Sequence, residues 1–453
     1  MRSQSCSTAM ADPVLGFADL AGRSVGIFGF GVEGRAAAAQ LRRLGIEPVI
    51  VDDRGPSAGD GVLATMSGGL EALASCDVVL KTPGLSTYAD SVSSLRSQGV
   101  LVTSALSCWL TDADRSRVVL ITGTKGKSTT ASILGHLLNR LGHDTAVVGN
   151  IGRVPYDPDV APSATFTVVE VSSFQAEGLA CTTPIIGVTS IGQDHLDWHG
   201  TVERYVTDKL SIAAKPGAAR AIVADTDALR ALAPLLGPDP SFVAPTALDR
   251  AIAAALGLAG GHHDSNVAVA RGVIEGLLGP VADDRLIAAA SGFVPLESRF
   301  SEVPPLGAVR VIDDSLATNP LPTIAGLASL GAARVALLVG GHERGVDYAP
   351  LGAALAERRG ATLVLAMPEN GQRILDAVTP SATVQTVLVR SLAEAVDRGL
   401  AWLNGEGVLV LSPAAPSFGH FIDYRDRAQQ FQALVDAHRT TTPPGEFPRG
   451  VVG

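Results

Sequence analysis

The chain has 453 residues, 46% hydrophobic and 18% charged, and a formal net charge of −10. That length is too great for one core and implies about three domains. The acidic balance, without any dense Lys/Arg patch, excludes a general nucleic-acid surface. No run of about 18 apolar residues is long enough to cross a membrane, and the N-terminal stretch lacks a signal-peptide core. The four cysteines, Cys6, Cys76, Cys108 and Cys181, are scattered without the pairing of a zinc or redox motif, which fits small hydrophobes in a reducing cytoplasm.

Short β-branched runs alternate with Ala- and Leu-rich helical stretches, the rhythm of parallel α/β domains. The first block holds a predicted strand at 25–28, a helix at 34–44, and strands at 48–51, 78–80 and 100–102. A polar run at 111–117 precedes a strand at 118–121, which places a boundary near residue 108. The second block continues with a helix after Lys127, strands at 166–171, 185–189 and 221–223, and helices at 202–214 and 266–278. The Pro-containing stretch "GFVPLESRFSEVPPLG", 292–307, marks a second boundary. Strands at 309–312, 335–339, 363–366 and 408–411 and a helix near 428–437 complete the third block, and the tail "TTTPPGEFPRGVVG" is expected to be disordered. The expected organisation is α/β in three domains, at 1–107, 108–295 and 296–453.

Two glycine loops follow predicted strands. The first, "GFGVEG" at 29–34, opens a helix, and Asp52 ends the next strand. This is the dinucleotide-binding pattern, in which glycines permit the tight turn and the helix N-terminus favours a diphosphate. An NAD(P) cofactor, a UDP-sugar, or a βα turn that binds nothing would all satisfy it. The second, "ITGTKGKSTT" at 121–130, lacks the glycine that the common phosphate loop places five residues before its Gly-Lys pair; Ile121 stands there. Gly123 and Gly126 nevertheless let N–H groups converge on phosphate oxygens. Lys127 can reach terminal phosphates, and Ser128 or Thr129 can ligate Mg²⁺.

Three further features decide between these readings. Glu170 ends a strand parallel to the one feeding the second loop, where a Mg²⁺ ligand is wanted. "GQDHLDWHG", 192–200, gathers Asp194, His195, Asp197 and His199 after another strand end, where such sheets bind ligands. Lys209, taken alone, reads as a solvated helix lysine.

With these pieces placed, the chain resembles the Mur ligases, and within them the muramoylalanine–glutamate ligases. The similarity runs from about residue 20 to 438 and is carried, in order, by "GFGVEG", "KTPGL", "TGTKGKST", "GNIG", "EVSSFQ", "DHLDWHG", "YVTDKL", "DDSLATNP" and "LSPAAPSF". The shortened phosphate loop is this family's own form. The resemblance implies a Rossmann-like UDP-binding domain, a P-loop ATPase-like domain and a C-terminal Rossmann-like domain. It implies an ATP-dependent amide ligase of peptidoglycan precursor synthesis, which activates the alanine carboxylate of UDP-N-acetylmuramoyl-L-alanine as an acyl phosphate for attack by glutamate.

By the same resemblance, Gly123, Thr124, Lys125, Gly126, Lys127, Ser128 and Thr129 cradle ATP, with Asn266, Arg299 and Asp314 as further nucleotide contacts. Ser128 and Glu170 are expected at one Mg²⁺, and His195 with a carbamylated Lys209 at a second. Gly31, Val32, Glu33, Asp52, Asp53 and Gly84 are expected to hold UDP, with Asn150 and Ser172 at the muramoyl end. Leu316, Thr318, Arg344, Ser417, Phe418 and Tyr424 are expected around glutamate. A cytoplasmic monomer is expected, with no nucleic-acid partner and no membrane insertion.

The departures lie in the third domain. In the D-glutamate-adding pattern a lysine stands where this chain has Leu316, another where it has Arg344, and a histidine where it has Ser298. Losing a lysine removes a cation from a pocket for a dicarboxylate, so glutamate must sit differently or charge must come from Arg344 or His342. These departures resemble the branch that adds L-glutamate, with D-glutamate as the alternative. An NAD(P)-dependent oxidoreductase would leave Lys127, Glu170, His195 and Lys209 without work; a non-catalytic nucleotide sensor that kept the fold is a third reading.

Overall fold

The computed structural model describes residues 14–53, 61–160, 164–218, 220–258, 261–343, 346–417 and 419–441. It divides into two compact units, Met1–Phe293 and Val294–Gly453. The first unit carries two sheets. One orders its strands β3-β2-β1-β4-β5, from β1 (Val25–Phe28), β2 (Val49–Asp52), β3 (Val62–Ala64), β4 (Val78–Lys81) and β5 (Leu101–Thr103). The other has the order β11-β10-β9-β6-β8-β7, from β6 (Val118–Thr122), β7 (Thr145–Gly149), β8 (Phe166–Glu170), β9 (Ile185–Val188), β10 (Arg220–Ala224) and β11 (Pro240–Val243). All described pairings in both are parallel.

Parallel strands covered by helices on both faces read as unbroken apolar runs. Strand β6, VVLIT, is buried at every position. Its Val119, Leu120 and Ile121 are fully buried and contribute about 1.5–3 kcal/mol each. Register then brings the C-terminal ends together: Gly149 pairs with Glu170, and Glu170 with Ile121. In the first sheet Phe28 is flanked by Val51 and Lys81. Both edges so defined carry the glycine loops.

The expected junction at 107/108 falls inside a helix, Ala105–Asp112, capped by the Ser104 side chain. Leu106, Cys108 and Leu110 pack in one core with Leu20 and Ile27 on one side and Val118–Ile121 on the other, and burial pushes the Cys108 thiol up to about 12. The polar run at 111–117 therefore begins as the end of that helix. The helix expected at 202–214 stops at Leu210 and tightens into a 3₁₀ turn, Ser211–Ala213.

The second unit has one sheet, β12-β13-β17-β14-β15-β16, from β12 (Ser301–Leu306), β13 (Ala308–Asp313), β14 (Val335–Val339), β15 (Thr362–Ala366), β16 (Val384–Leu388) and β17 (Glu406–Leu411). β12 is antiparallel to β13 and the rest are parallel. The stretch taken as a boundary thus contains a strand. Its two prolines cannot donate to a ladder and are tolerated because β12 is an edge. The last described helix is longer than expected, Tyr424–Thr441. Of the tail expected to be disordered, 442–453 lies outside the described residues.

Candidate active site

The second glycine loop is held from outside by the segment after β9. Ser190 accepts from Thr124 N–H through its carbonyl (2.8 Å) and from Lys125 N–H through its hydroxyl (2.8 Å). Thr189 Oγ1 donates to the Lys125 carbonyl (2.5 Å). Gly123 and Gly126 have φ of +140° and +85°. A Cβ would stand 2.2 Å from Thr189 Oγ1 at the first and 2.4 Å from Asn266 Oδ1 at the second. The loop is therefore both left-handed and tightly walled, and only glycine fits. The helix Lys127–Arg140 starts directly after it. Lys127 Nζ donates to the Thr124 carbonyl (3.0 Å), so its ammonium is folded back over the loop it follows.

At the second residue of that helix, Ser128 Oγ donates to Glu170 Oε2 (2.5 Å), and Asn150 Nδ2 donates to Glu170 Oε1 (2.9 Å). Glu170 is 1% exposed. Among the described residues no three His, Cys, Asp or Glu side chains converge on a metal position. A hydroxyl beside a carboxylate is instead an oxygen-only donor set. That suits Mg²⁺, which keeps waters and substrate phosphates as its other ligands. The residues present fit that ion.

Lys209, read from sequence as solvated, is 2% exposed. Burial pushes its amine well below the usual lysine range, helped by the Lys127 and Lys125 cations and opposed by Asp194 and Glu170. Asp194 bonds Lys125 Nζ (3.2 Å). Burial alone would raise its carboxyl, but Lys125, His195 and Lys127 bring it down to about 2. His195 has φ +51° and rests against Phe174, ring centroids 4.7 Å apart. His199, grouped with it in the sequence, is instead fully buried between Asp208 and Ser173. The Asp197 side chain lies outside the described residues.

The first glycine loop lines a crevice of about 350 Å³ with Gly29, Gly31, Asp52, Asp53, Thr82 and Gly84. Asp52 Oδ2 accepts from Phe30 N–H (2.6 Å). Val32 and Glu33 also line it, and among the described lining residues there is no Lys or Arg. The Glu33 carboxylate is engaged elsewhere: Oε2 accepts from Tyr156 Oη (2.9 Å) and Oε1 from Gln175 Nε2 (2.7 Å). Gln175 in turn forms a capping box with Ser172. Burial raises the Glu33 pKa against these bonds and Lys81.

In the second unit Asp314 accepts from Ser412 Oγ (2.6 Å) and Phe300 N–H (3.1 Å). Burial pushes its carboxyl up to about 7, against Ser412 and Arg299. Ser298, where the resembling pattern has histidine, donates to Asp313 (2.8 Å). Thr318 and Leu316 are half-buried beside buried Ser315 and Ala317, Ser417 is buried, and Tyr424 is half-buried. Arg344 and Phe418 lie outside the described residues. His342 and His420 flank Glu369 at 3.3 and 3.4 Å. Sequence reasoning missed Arg427, which is 0% exposed and donates to the carbonyls of Ser315 (2.8 Å) and Ala415 (3.1 Å). It clamps the two loops that carry Leu316 and Ser417; in sequence it is one arginine among several in a polar helix.

A parallel sheet with a glycine loop, a buried Ser–Glu pair and a buried low-pKa lysine defines a phosphate-loop α/β enzyme. Residues 121–238 match the Mur ligase middle domain. The UDP-N-acetylmuramoyl-L-alanine–L-glutamate ligase of a Micromonospora species is 35% identical over 92% of this chain and 97% of its own length. That of Salinispora tropica is 34% identical over 92% and 98%, and that of Xanthomonas axonopodis pv. citri 34% over 92% and 96%. Among solved structures, the UDP-N-acetylmuramate–alanine ligase of Thermotoga maritima matches with a TM-score of 0.56, at 16% identity over 92% of this chain and 99% of that one. The MurF ligase of the same organism, in complex with ADP, matches with 0.57, at 16% identity over 94% and 97%. The last two likenesses are of fold. The chain belongs to the Mur ligase family, alongside the UDP-N-acetylmuramoyl-L-alanine–L-glutamate ligases.

Proposed function

We propose that this chain joins L-glutamate to UDP-N-acetylmuramoyl-L-alanine with cleavage of ATP, and that it does so as a cytoplasmic monomer with an N-terminal, a central and a C-terminal domain. The carrying observation is the Ser128–Glu170–Asn150 chain set against the phosphate loop, with Lys209 buried nearby as a low-pKa amine. The alanine carboxylate oxygen attacks the γ-phosphorus and ADP leaves. The glutamate nitrogen then attacks the acyl carbon, inorganic phosphate departs, and the amine loses a proton. Phosphorylation gives a poor electrophile a leaving group.

The loop N–H groups and Lys127 bind the terminal phosphates in this reading. Ser128 and Glu170 hold one Mg²⁺, and His195 and Lys209 a second; the ions supply positive charge where two anions must meet. A neutral Lys209 amine can add CO₂ and release a proton, which turns the neutral amine into an anionic, carboxylate-like ligand. Asn150 and Ser172 face the muramoyl end. The first glycine loop meets the UDP diphosphate through backbone N–H groups, since Glu33 is committed to Tyr156 and Gln175. Thr318, Ser417 and Tyr424, with Arg344 and Phe418, receive glutamate. Support for a reducing compartment comes from Cys76, Cys108 and Cys181, which are free and buried; among the described residues no helix is long and apolar enough to cross a membrane.

The L-isomer is favoured by Leu316 in place of a lysine and by the names of the similar ligases. Ligation with enantiopure L- or D-glutamate, followed by chiral analysis of the product, tests it. Phosphate release is expected only with ATP, the muramoyl nucleotide and L-glutamate together; preference for D-glutamate would sink the stereochemical part, and release without the nucleotide the whole.

A further inference from the structure

Beside Lys209 lies a polar chain, buried at Asp208, His199 and Ser173 and reaching the exposed Tyr88 at its outer end, that the reaction scheme leaves unused. Tyr88 Oη donates to Asp208 Oδ1 (2.8 Å), Asp208 Oδ2 faces His199 Nδ1 (2.7 Å), and His199 Nε2 faces Ser173 Oγ (2.9 Å). Phe174, Trp198 and Tyr205 wall the imidazole, their ring centroids 5.5, 4.4 and 5.3 Å from it. Serine, histidine and aspartate in hydrogen-bonded series are the parts of a nucleophilic triad. Here Ser173 is 1% and His199 0% exposed, so no acyl substrate reaches the hydroxyl. A buried polar series of this kind is retained only when each member is satisfied, and then it fixes geometry.

Each end of the chain is tied to a different part of the site. Tyr88 is four residues past Gly84 of the first crevice, and its loop is held further by Thr87 Oγ1 donating to Glu177 (2.7 Å). Asp208 directly precedes Lys209 on the helix Val202–Leu210. Ser173 opens the helix that starts three residues after Glu170. We propose that Tyr88, Asp208, His199 and Ser173 form a positioning strut that sets the register of the Lys209 helix against the Glu170 strand end and the first crevice. The inference rests on the reading above that Lys209 serves the reaction.

The experiment uses the full chain and compares His199→Phe, which keeps the ring packing and removes both hydrogen bonds, with His199→Gln, whose amide offers one donor and one acceptor. His199→Phe is expected to lower kcat about 10–100-fold, the usual cost of removing such an outer partner, with KM for ATP unchanged because the phosphate loop is held by Thr189 and Ser190. His199→Gln should recover part of the loss. Hydrogen exchange should rise in 202–210 in His199→Phe and stay unchanged in 127–140. Tyr88→Phe removes one hydroxyl at the outer end and covers the case in which His199→Phe fails to fold; its kcat should fall about two- to tenfold, one hydrogen bond's worth. Full kcat in His199→Phe or in Tyr88→Phe, or equal losses in His199→Phe and His199→Gln, would overturn the strut. An active Lys209→Ala would instead overturn the role of Lys209, whereas an inactive Lys209→Ala beside an unimpaired His199→Phe removes the strut alone.

Discussion

The two glycine loops of the first unit make one turn in two different settings. Each follows a central strand of a parallel sheet and opens a helix, and each is closed to any side chain by a near neighbour. A Cβ at Gly34 would stand 2.1 Å from the Gly29 carbonyl, much as one at Gly126 would meet Asn266. They differ in what surrounds that backbone. The first is lined by Asp52, Asp53 and Glu33, with no described cation in the crevice. The second brings Lys125, Lys127, Ser128 and buried Glu170 together. A loop meant only to grip a diphosphate can rely on oriented N–H groups. A loop meant to move a phosphoryl group needs cations and a metal ligand where charge develops. In the proposed reading the same βα turn is a handle in one place and a reaction site in the other, and the side chains decide which.

That contrast can be broken from either side. The largest effect is expected from Lys127→Ala, which should lower kcat about 10²–10³-fold, the scale for removing one electrostatic stabiliser, in a phosphate-release assay with all substrates saturating; an unchanged rate would mean the second loop is as passive as the first. A smaller effect is expected from Gly34→Ala. The added methyl meets backbone, so the first loop must open, at a cost of about 1–3 kcal/mol in stability; KM for the muramoyl nucleotide should rise while KM for ATP holds. A rise in both would show the loops to be coupled.

The smallest effect belongs to Glu33→Gln, which exchanges one accepting oxygen for a donor beside Tyr156 and Gln175, a change worth about 0.5–1.5 kcal/mol. Its sign with pH is fixed. Burial raises the Glu33 pKa above its unfolded value of 4.5, so the stability that this group adds is fully present below 4.5 and is lost as pH rises through its folded value. The melting-temperature advantage of the natural chain over Glu33→Gln should therefore shrink from acid toward neutral pH; an advantage that grows would refute the raised value.

What was legible in the sequence follows the same physics. Strands β1, β2, β4, β6, β8, β9, β10, β13, β14, β15 and β17 were readable as apolar runs in sheet interiors, and so was the edge strand β5. Strands β3, β7, β11, β12 and β16 were not, and all five are sheet edges. Pro240–Val243 is half-buried throughout, and Ser301–Leu306 carries two prolines, so neither presents the pattern that marks a strand. The phosphate loop was legible because a walled, left-handed backbone admits only glycine. Lys209 was legible only through resemblance, since nothing in "YVTDKL" reveals that the lysine faces inward. His199 was placed in the right cluster with the wrong neighbours. The departure at Leu316 was visible at once, but the residue that holds its loop, Arg427, lies 112 positions past the Ser315 carbonyl it bonds and needed the fold to find it.

Arg427 also bears on the order in which the protein is made. The strands that carry the Ser315 and Ala415 loops are complete before the helix Tyr424–Thr441 has left the ribosome, and domains generally fold as units, N-terminal first. The phosphate loop and Glu170 can thus be in place while both loops still lack the guanidinium that joins them. During synthesis, the unit that carries the phosphate loop can mature before the loops that Arg427 joins in the other unit.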